Sequence, residues 1–577
     1  MLSHTHTLAM ASLAVQQTGV LGPLLAGHLL RRSSFHMSKE RIEQLAALTA
    51  DQAVDLLFDT AAPAPYMVKP LYAHQSGDSI DDWIDNSDSN NYETNKRRAV
   101  TVWWLRNAIF DNTAHHKVAF FLHTTFTTSH EGLSISGMGQ NLTRDVSRYL
   151  YDHVRLLNWC TESQGGSNVG LKTIARKITL DNLMLGYLNN RQNIYNGVDE
   201  SGLNENYARE FLELFTIGRG DQIAPGEYDN YTEADITVAA KVLSGFSTKD
   251  RRNLSDIDPD TGIYSGTAFP STHFPGVKTF SNKFVGPNNP VTGVDMDEEL
   301  DNFIEMVFHQ PATALNYATK LYRFFFSIEL DPAFIQEVAN DLIANNYDYI
   351  ATLKKMLKSA HFYSICNADP NHANGNLIKS PLEMLTEAIS FFRSDLPDID
   401  FNTPDKVDVY KHFRFFGTNY LFNSFGQNAG MILFGPPSVA GYPPYYQEPI
   451  FDRNWYTPGT IPTRFGLGQK WVNDSNIFPN LHTSIDAVAY ADYLDALPGI
   501  DVSNADVILD KTLCLFPQAI STDRRNLIKD IFLDNLSPIN WMIEWNNYKT
   551  SGNATAVEPH LRALVVAVLS AHEFQLK

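Results

Sequence analysis

Two glutamates three residues apart are the groups of this chain best suited to acid–base or metal chemistry. Glu210 and Glu213 lie in Leu203–Gly218, LNENYAREFLELFTIG, whose polar and apolar residues separate onto two faces of a helix at about 100° per residue. Carboxylates that line a cleft can act as a general base or as metal ligands. The predicted catalytic residues are therefore Glu210 and Glu213. The predicted binding residues on the same face are Glu205, Asn206 and Arg209.

The same polar face is also typical of an ion-pair network that holds helices together. Arg209 lies four residues from both Glu205 and Glu213, the spacing at which side chains of one helix pair. Buried carboxylates are tolerated when an arginine pairs with them and hydrogen bonds satisfy them. A catalytic cleft and a structural network therefore both stay open, on a helix predicted to begin after Asn204 and to end at Gly218.

Other candidate groups lie outside this helix. His123 follows a run of aromatic residues and is either a core histidine or a catalytic base or ligand. His273 and Lys278 lie in a loop, where polar groups are often functional, and could form a phosphate- or sulfate-binding turn. Tyr442 is a predicted binding residue because it belongs to residues 435–464, a segment dense in proline and aromatic side chains. Such a segment often walls a cleft.

A run of alternating aspartates resembles a cation-binding loop. Asp256, Asp258 and Asp260 are spaced two apart before Gly262, as in loops that bind hard cations such as calcium. The run is not an EF-hand, because Thr267 stands where a bidentate glutamate belongs. The three aspartates are therefore either calcium ligands or a solvated acidic turn.

The elements that position these groups are predicted to be helices. Thr49, Thr232 and Ser380 each begin a capping box. Long apolar periodic runs predict further helices at 143–159, 171–188, 298–327, 332–360 and 558–575. Alternation typical of strands is confined to Thr267–Thr279 and Met431–Phe434. The predicted fold class is mostly α, a large multi-helical body with irregular loop insertions and little β structure.

Composition changes divide the chain into six segments, predicted to pack as one compact unit. They are an N-terminal helical arm (1–70), a helical core with the Asn-Glu-Asn-Tyr-Ala-Arg-Glu motif (71–250), a loop-rich insertion (251–290), the continued helical core (291–400), the Pro/aromatic-rich cleft segment (401–480) and a C-terminal helical region (481–577).

Charge and composition exclude several classes of function. The net charge of −20, from 45 basic and 65 acidic residues, argues against nucleic acid or an anionic membrane as the main partner. No apolar run reaches the length of about 18–20 residues that a transmembrane helix needs. Three widely spaced cysteines predict neither a disulfide framework nor a zinc site. Residues Leu8–Leu30 lack the basic start of a secretory signal.

Several motifs together carry a resemblance to a known family. They are HLLRRSSF (His28–Phe35), FLHTTFTTS (Phe121–Ser129), NENYAREFLELFTIG (Asn204–Gly218), YTEADITVAAKVLSGF (Tyr231–Phe246), HFPGVKTF (His273–Phe280), IKSPLEML (Ile378–Leu385), FGPPSVAGY (Phe434–Tyr442) and the terminal LSAHEFQLK. The chain resembles, nearly from end to end, the bacterial domain-of-unknown-function family number 1800. It departs from the family pattern at Thr125, where the family typically has a second histidine, and at Phe274, where it typically has an aspartate.

The resemblance implies a mostly helical protein that is exported to the periplasm or cell envelope and encoded beside a sulfatase-like protein. Two functions fit the residues and the resemblance together. The first is an envelope-associated hydrolase or lyase that acts on a polar polymer or glycan, with a divalent cation such as calcium as a candidate cofactor. The second is a non-catalytic scaffold or assembly partner of the sulfatase-like protein.

Overall fold

Helices make up most of the chain, as the capping and periodicity patterns predict. The computed structural model describes residues 12–58, 67–72, 84, 93–131, 146–163, 166–225, 227–248, 256–364, 377–393, 400, 405–413, 425–473 and 485–577. Within these ranges the chain forms 25 α-helices and four short strands. The predicted mostly α fold class is therefore confirmed.

Nine helices form the first part of the described chain, and two of them, which begin at Ala50 and Asn206, start close to predicted caps. In order they are α1 (Gly22–Ser33), α2 (Lys39–Ala46), α3 (Ala50–Leu57), α4 (Glu93–Phe110), α5 (His115–Thr125), α6 (Val146–Trp159), α7 (Leu171–Thr179), α8 (Asn182–Tyr187) and α9 (Asn206–Glu210). Thr49 caps α3 as predicted, because its hydroxyl accepts the N–H of Gln52 while the Gln52 side chain accepts the N–H of Thr49.

The remaining helices lie between residues 233 and 569. They are α10 (Glu233–Val242), α11 (Met296–Phe308), α12 (Pro311–Phe325), α13 (Pro332–Ala344), α14 (Tyr349–Lys358), α15 (Ala360–Ser364), α16 (Pro381–Phe391), α17 (Lys406–Phe413), α18 (Pro443–Tyr446), α19 (Ile461–Phe465), α20 (Leu467–Asn473), α21 (Ala487–Asp495), α22 (Ala505–Leu513), α23 (Thr522–Leu533), α24 (Pro538–Ser551) and α25 (Val557–Leu569). The capping boxes predicted at Thr232 and Ser380 are both present, at the starts of α10 and α16.

Three runs predicted as continuous helices are each interrupted. They are, in order, residues 171–188, 298–327 and 332–360. Asp181 ends the first run because its carboxylate caps the start of α8. Pro311 divides the second because a proline is suited to the first position of a new helix, here α12. The third breaks at Asn346 and Tyr347, whose φ angles of 55° and 62° are left-handed.

The strands are shorter than the alternation predicts, and three of the four lie outside the two predicted segments. They are β1 (Gln222–Ala224), β2 (Glu227–Tyr228), β3 (Phe246–Ser247) and β4 (Thr267–Ala268). They form two antiparallel pairs, β1 with β2 and β3 with β4. The predicted strand beginning at Thr267 ends after two residues, and the one predicted at Met431–Phe434 is wrong, because that segment forms a turn.

Buried apolar residues from Leu21 to Phe574 form one contiguous core. None of the described helices is both long enough and apolar enough to cross a bilayer. The division into six segments stays a prediction. Its boundaries at 250/251 and 480/481, and the start of the segment Leu8–Leu30, lie outside the described residues.

Candidate functional site

The helix that carries the two candidate glutamates changes its winding between them. Helix α9 ends at Glu210, and Phe211–Phe215 continue as a single π turn. Asn204 accepts the N–H of Asn206 at 3.0 Å, so it caps the helix start from one residue further out than a standard N-cap. Gly218 ends the element as predicted, with a φ of 77° and an N–H that donates to the carbonyl of Leu212. π turns are rare in proteins, and those that do occur often lie at functional sites.

Side chains of α12 hold the end of the π turn. Asn316 Nδ2 donates to the carbonyl of Thr216, and Tyr317 Oη donates to that of Phe215, both at 2.6 Å. Lys320 Nζ donates to the carbonyl of Leu214. These carbonyls lie at the end of a helix, where no partner within the helix is left for them. The three α12 donors therefore supply the hydrogen bonds that the carbonyls at the end of the π turn would otherwise lack.

Glu213 and Arg209 belong to two separate ion-pair groups. Arg209 binds both carboxylate oxygens of Glu233, at 2.9 and 2.8 Å, and lies 3.5 Å from Glu205. Glu213 instead pairs with Arg219 and accepts a hydrogen bond from Tyr231 Oη at 3.0 Å. The predicted Arg209–Glu205 pair is confirmed, whereas Arg219 takes the place predicted for Arg209 beside Glu213. Asn206 is exposed at the start of the helix.

Glu210 is the candidate carboxylate whose pKa the fold raises into the neutral range. Its side chain is partly buried, and burial together with the charge of Glu213 raises its pKa to about 7. Arg209 and Arg219 act in the opposite direction but do not cancel the shift. Burial and, second, the charge of Glu210 raise the pKa of Tyr187 to about 12, so this phenol lies near the same carboxylate. A pKa of about 7 suits Glu210 to proton exchange at neutral pH, although Glu210 is not among the residues that line the cavity beside Glu213.

Glu213 lines a cavity of about 220 Å³ between α5, α12 and the Pro/aromatic segment. We call it the aromatic cavity after six of its lining residues, which are Phe121, Phe324, Tyr445, Tyr446, Phe451 and Trp455. Four of these six come from residues 435–464. Its polar lining includes Thr124, Thr125, Thr127, Asn316 and Thr319. Its charged lining consists of Glu213, Lys320, Arg323, Asp452 and Lys577.

Burial shifts the pKa of three charged groups of the aromatic cavity. Burial lowers the pKa of Lys320 to about 7. It also lowers the pKa of Lys577 to about 7, although the neighbouring carboxylate of Glu383 acts in the opposite direction. Burial raises the pKa of Asp452, which accepts the N–H of Ile378 at 2.7 Å. None of these groups was a candidate from the sequence, where each reads as an ordinary surface charge.

His123 and Tyr442 lie in the core beside the aromatic cavity and are not among its lining residues. His123 is fully buried, and in the described part of the chain neither ring nitrogen has a hydrogen-bond partner. Burial lowers the pKa of His123 well below its usual value, which keeps the imidazole neutral. Tyr442 Oη donates to the carbonyl of Ile432 at 2.6 Å, and its ring lies 6.1 Å from that of His123. The next two residues after His123, Thr124 and Thr125, line the cavity instead.

His273 and Lys278 meet each other at a separate buried cluster. His273 Nδ1 donates to the carbonyl of Ser244 at 2.7 Å, and Nε2 lies 3.0 Å from Lys278 Nζ and 3.2 Å from Glu299 Oε1. Lys278 Nζ also lies 2.8 Å from Glu299, a partner that the sequence gave no reason to expect. The cluster lines no part of the aromatic cavity.

A lysine lies among the three aspartates of the proposed cation loop. Lys177 Nζ pairs with Asp258 at 2.6 Å and with Asp260 at 2.7 Å. Asp258 also accepts the N–H of Asp260 at 2.9 Å. Among the described residues, no group of three or more histidine, cysteine, aspartate or glutamate side chains is arranged to hold a metal ion. The arrangement counts against calcium ligands, because the Lys177 ammonium already pairs with two of the carboxylates. The turn is not the solvated one of the alternative, because Asp256 and Asp258 are buried.

Comparison with known proteins places the chain in a family. Neither the proteins of curated function nor the solved structures include a match. A family model described as "Protein of unknown function (DUF1800)" matches residues 28–576 of the 577. The match spans both α9 with its π turn and the aromatic cavity. The chain therefore belongs to the DUF1800 family.

Proposed function

We propose that this protein is an acid–base enzyme, an envelope-associated hydrolase or lyase that acts on a polar polymer or glycan. The observation that carries the proposal is the pair of carboxylates at the junction of α9 and the π turn. Glu213 lines the aromatic cavity, and Glu210, one turn earlier, has a pKa of about 7. The envelope location rests on the family resemblance.

The two glutamates have different environments, which suits them to different roles. Glu213 has fixed partners in Arg219 and Tyr231, so it is held in one orientation at the cavity wall. Glu210 has a pKa near the working pH, which is the condition for efficient general acid–base catalysis. Pairs of titratable groups with different environments are the usual basis for assigning an acid and a base. Glu213 is the group proposed to contact the substrate, and Glu210 the proton donor or acceptor.

The aromatic cavity supports a sugar-like substrate. Aromatic rings supply apolar contact area for a ring-shaped ligand, and a few polar groups then fix its orientation. The volume of about 220 Å³ lies below the range of about 300–1,000 Å³ that is typical of pockets for drug-sized ligands. The cavity therefore suits one small unit of a longer polymer.

The test compares Glu210→Gln and Glu213→Gln with the native protein on three polysaccharides: polygalacturonate, heparin and dextran. Release of reducing ends alone indicates a hydrolase, whereas ultraviolet absorbance of an unsaturated product indicates a lyase. Both variants are expected to lose turnover while keeping the native melting temperature to within a few degrees. Glu329→Gln, an exposed glutamate outside the site, is the matched control. Full turnover by both site variants, on a polysaccharide that the native protein cleaves, would reject the proposal.

A second candidate function, the non-catalytic scaffold, is supported by one surface. Helices α23 and α24 and the link between them expose a series of large apolar side chains, which are Leu527, Ile531, Leu536, Ile539, Met542 and Ile543. Ile539 and Ile543 are 57% and 50% exposed and lie one turn apart. Exposed apolar patches of this kind often mark protein–protein contacts. The partner proposed for this surface is the sulfatase-like protein that the family resemblance implies.

The scaffold proposal predicts that the two proteins co-purify and that Ile543→Glu abolishes the complex. Val294→Glu is the matched control, because Val294 is 91% exposed and lies far along the chain from α24. Co-purification that Ile543→Glu leaves intact would exclude this surface as the interface.

A further inference from the structure

The aromatic cavity contains one cation without a carboxylate partner. Glu213 is paired with Arg219, which does not line the cavity, and Asp452 accepts a backbone N–H. Arg323 pairs with Glu448 at 3.0 Å, and Lys577 pairs with Glu383. Of the three cavity cations in the described part of the chain, only Lys320 has no ion pair. Lys320 is partly buried, and charges drawn away from water are normally paired, so this exception requires an explanation.

Lys320 also has unused hydrogen-bonding capacity. An ammonium group has three N–H donors, and one of them is used by the carbonyl of Leu214. A carbonyl supplies only a partial negative charge, so the full charge of Lys320 is not compensated. A ligand anion in the cavity would supply both the missing charge and acceptors for the remaining N–H groups.

Three of the four threonine hydroxyls of the cavity are unsuited to the same task. Thr124 and Thr125 both donate to the carbonyl of Phe121, at 2.8 and 3.0 Å, and Thr319 donates to that of Leu315 at 2.8 Å. Each hydroxyl hydrogen is therefore already used, and only oxygen lone pairs are left for a ligand. These oxygens can accept hydrogen bonds from the hydroxyl groups of a sugar, but they cannot donate to an anion.

We propose that Lys320 anchors the anionic group of an acidic sugar, a carboxylate or sulfate, in the aromatic cavity. The sugar ring would lie against the aromatic wall, and its hydroxyls would donate to the threonine oxygens. The proposal narrows the substrate class of the proposed function to acidic glycans. It rests on the proposed function only for the role of the ligand as a substrate. Binding of the sugar itself does not depend on catalysis.

The proposal implies a definite dependence of binding on pH. Burial places the pKa of Lys320 near 7, and the other charged groups that line the same cavity are Glu213, Arg323, Asp452 and Lys577. An anion stabilises the charged form of Lys320, so binding above pH 7 requires the uptake of a proton. For one group with a pKa of 7, affinity falls by about 30-fold between pH 6 and pH 8.5. Titration of Lys577 in the same range would steepen the fall.

The experiment measures binding of glucuronate to the full chain by isothermal titration calorimetry at pH 6 and pH 8.5. Glucose is the neutral comparison, and galactose 6-sulfate distinguishes a sulfate ligand from a carboxylate ligand. We expect glucuronate or galactose 6-sulfate to bind at pH 6 and to lose most of that affinity at pH 8.5, whereas glucose binds weakly at both. Lys320→Met is expected to weaken binding at pH 6 by at least about tenfold, the size of one charge-assisted hydrogen bond.

Two further variants keep the test decisive. Lys320→Arg retains a positive charge at every pH, so it is expected to bind at pH 8.5 more tightly than the native protein does. Lys470→Met removes an exposed lysine outside the cavity and is expected to bind like the native protein. If Lys320→Met does not fold, the pH dependence of Lys320→Arg decides the question alone.

The proposal is overturned if glucose binds as tightly as both acidic sugars, if neither acidic sugar binds, or if Lys320→Arg shows the full native loss between pH 6 and pH 8.5. The proposed function fails separately. Acidic sugars that bind through Lys320, together with full turnover by Glu210→Gln and Glu213→Gln, would refute the catalytic roles and leave the anion site intact.

Discussion

Replacing Glu383 by glutamine tests how far a buried charge cluster behind the aromatic cavity stabilises the protein. Glu383 Oε1 accepts hydrogen bonds from Lys117 and Lys577, and Oε2 accepts the N–H and the hydroxyl of Ser380 at 2.7 and 3.0 Å. All four residues are buried. Burial raises the pKa of Glu383, but the charges of Lys117 and Lys577 outweigh it and hold the pKa well below its usual range.

The change to glutamine removes the negative charge of the side chain and keeps its size and one acceptor oxygen. A capping box accepts glutamine in place of glutamate, so Glu383→Gln keeps the cap at Ser380 and leaves Lys117 and Lys577 buried without their shared carboxylate. Removing one partner of a buried pair costs about 3–5 kcal/mol. The unfolding entropy of a chain of 577 residues is about 1.2 kcal/mol/K at about 2.1 cal/mol/K per residue. The expected decrease in melting temperature is therefore about 3–4 °C.

Differential scanning calorimetry measures this decrease directly, with Glu329→Gln as the exposed control. Because the folded pKa of Glu383 is depressed, its stabilisation is fully present above the unfolded value of about 4.3 and is lost as the pH falls towards the folded value. The difference between the native protein and Glu383→Gln should therefore be full at pH 7 and decrease below about pH 4. A melting temperature at pH 7 within about 1 °C of the native value would refute the reasoning.

Three further predictions concern the π turn and the acidic loop. In Glu213→Gln, the Glu210 carboxyl carbon should titrate by NMR at a lower pH than in the native protein, because one cause of its raised pKa is gone; an unchanged titration would count against the pairing. Tyr317→Phe should lower the free energy of unfolding by about 1–3 kcal/mol in denaturant titrations, because the carbonyl of Phe215 loses its donor. Lys177→Met should make the melting temperature rise with added calcium, whereas the native protein should not respond to calcium or to a chelator; a calcium response of the native protein would contradict the neutralised loop.

The features that depend only on residues close together in the sequence could be predicted from it. The capping boxes at Thr49, Thr232 and Ser380 are local patterns of four residues, and all three are present. The end of the predicted helix at Gly218 is equally local, because a glycine tolerates the left-handed backbone that ends a helix. Local signals of this kind were sufficient for the fold class.

The site depends on contacts between distant parts of the chain, and these carry no local signal. Arg219 lies six residues after Glu213, outside the spacing of three or four at which side chains of one helix pair, so this ion pair has no local signal. Lys320 reads from its sequence as an ordinary charged helix residue, whereas in the fold it lines the aromatic cavity and donates to the carbonyl of Leu214, about a hundred residues earlier. The π turn itself is held by donors of α12, so its own sequence reads as a regular α-helix.

The π turn makes the number of residues in one turn as important as their identity. A π turn closes its hydrogen bonds to the fifth residue, so Phe211–Phe215 contain one residue more than an α-helical turn would. Deleting a single residue between Glu210 and Glu213 would leave the two carboxylates two residues apart, which is about 200° around an α-helix. Every chemical group of the site would still be present in such a protein, but the two carboxylates would lie on nearly opposite faces of the helix.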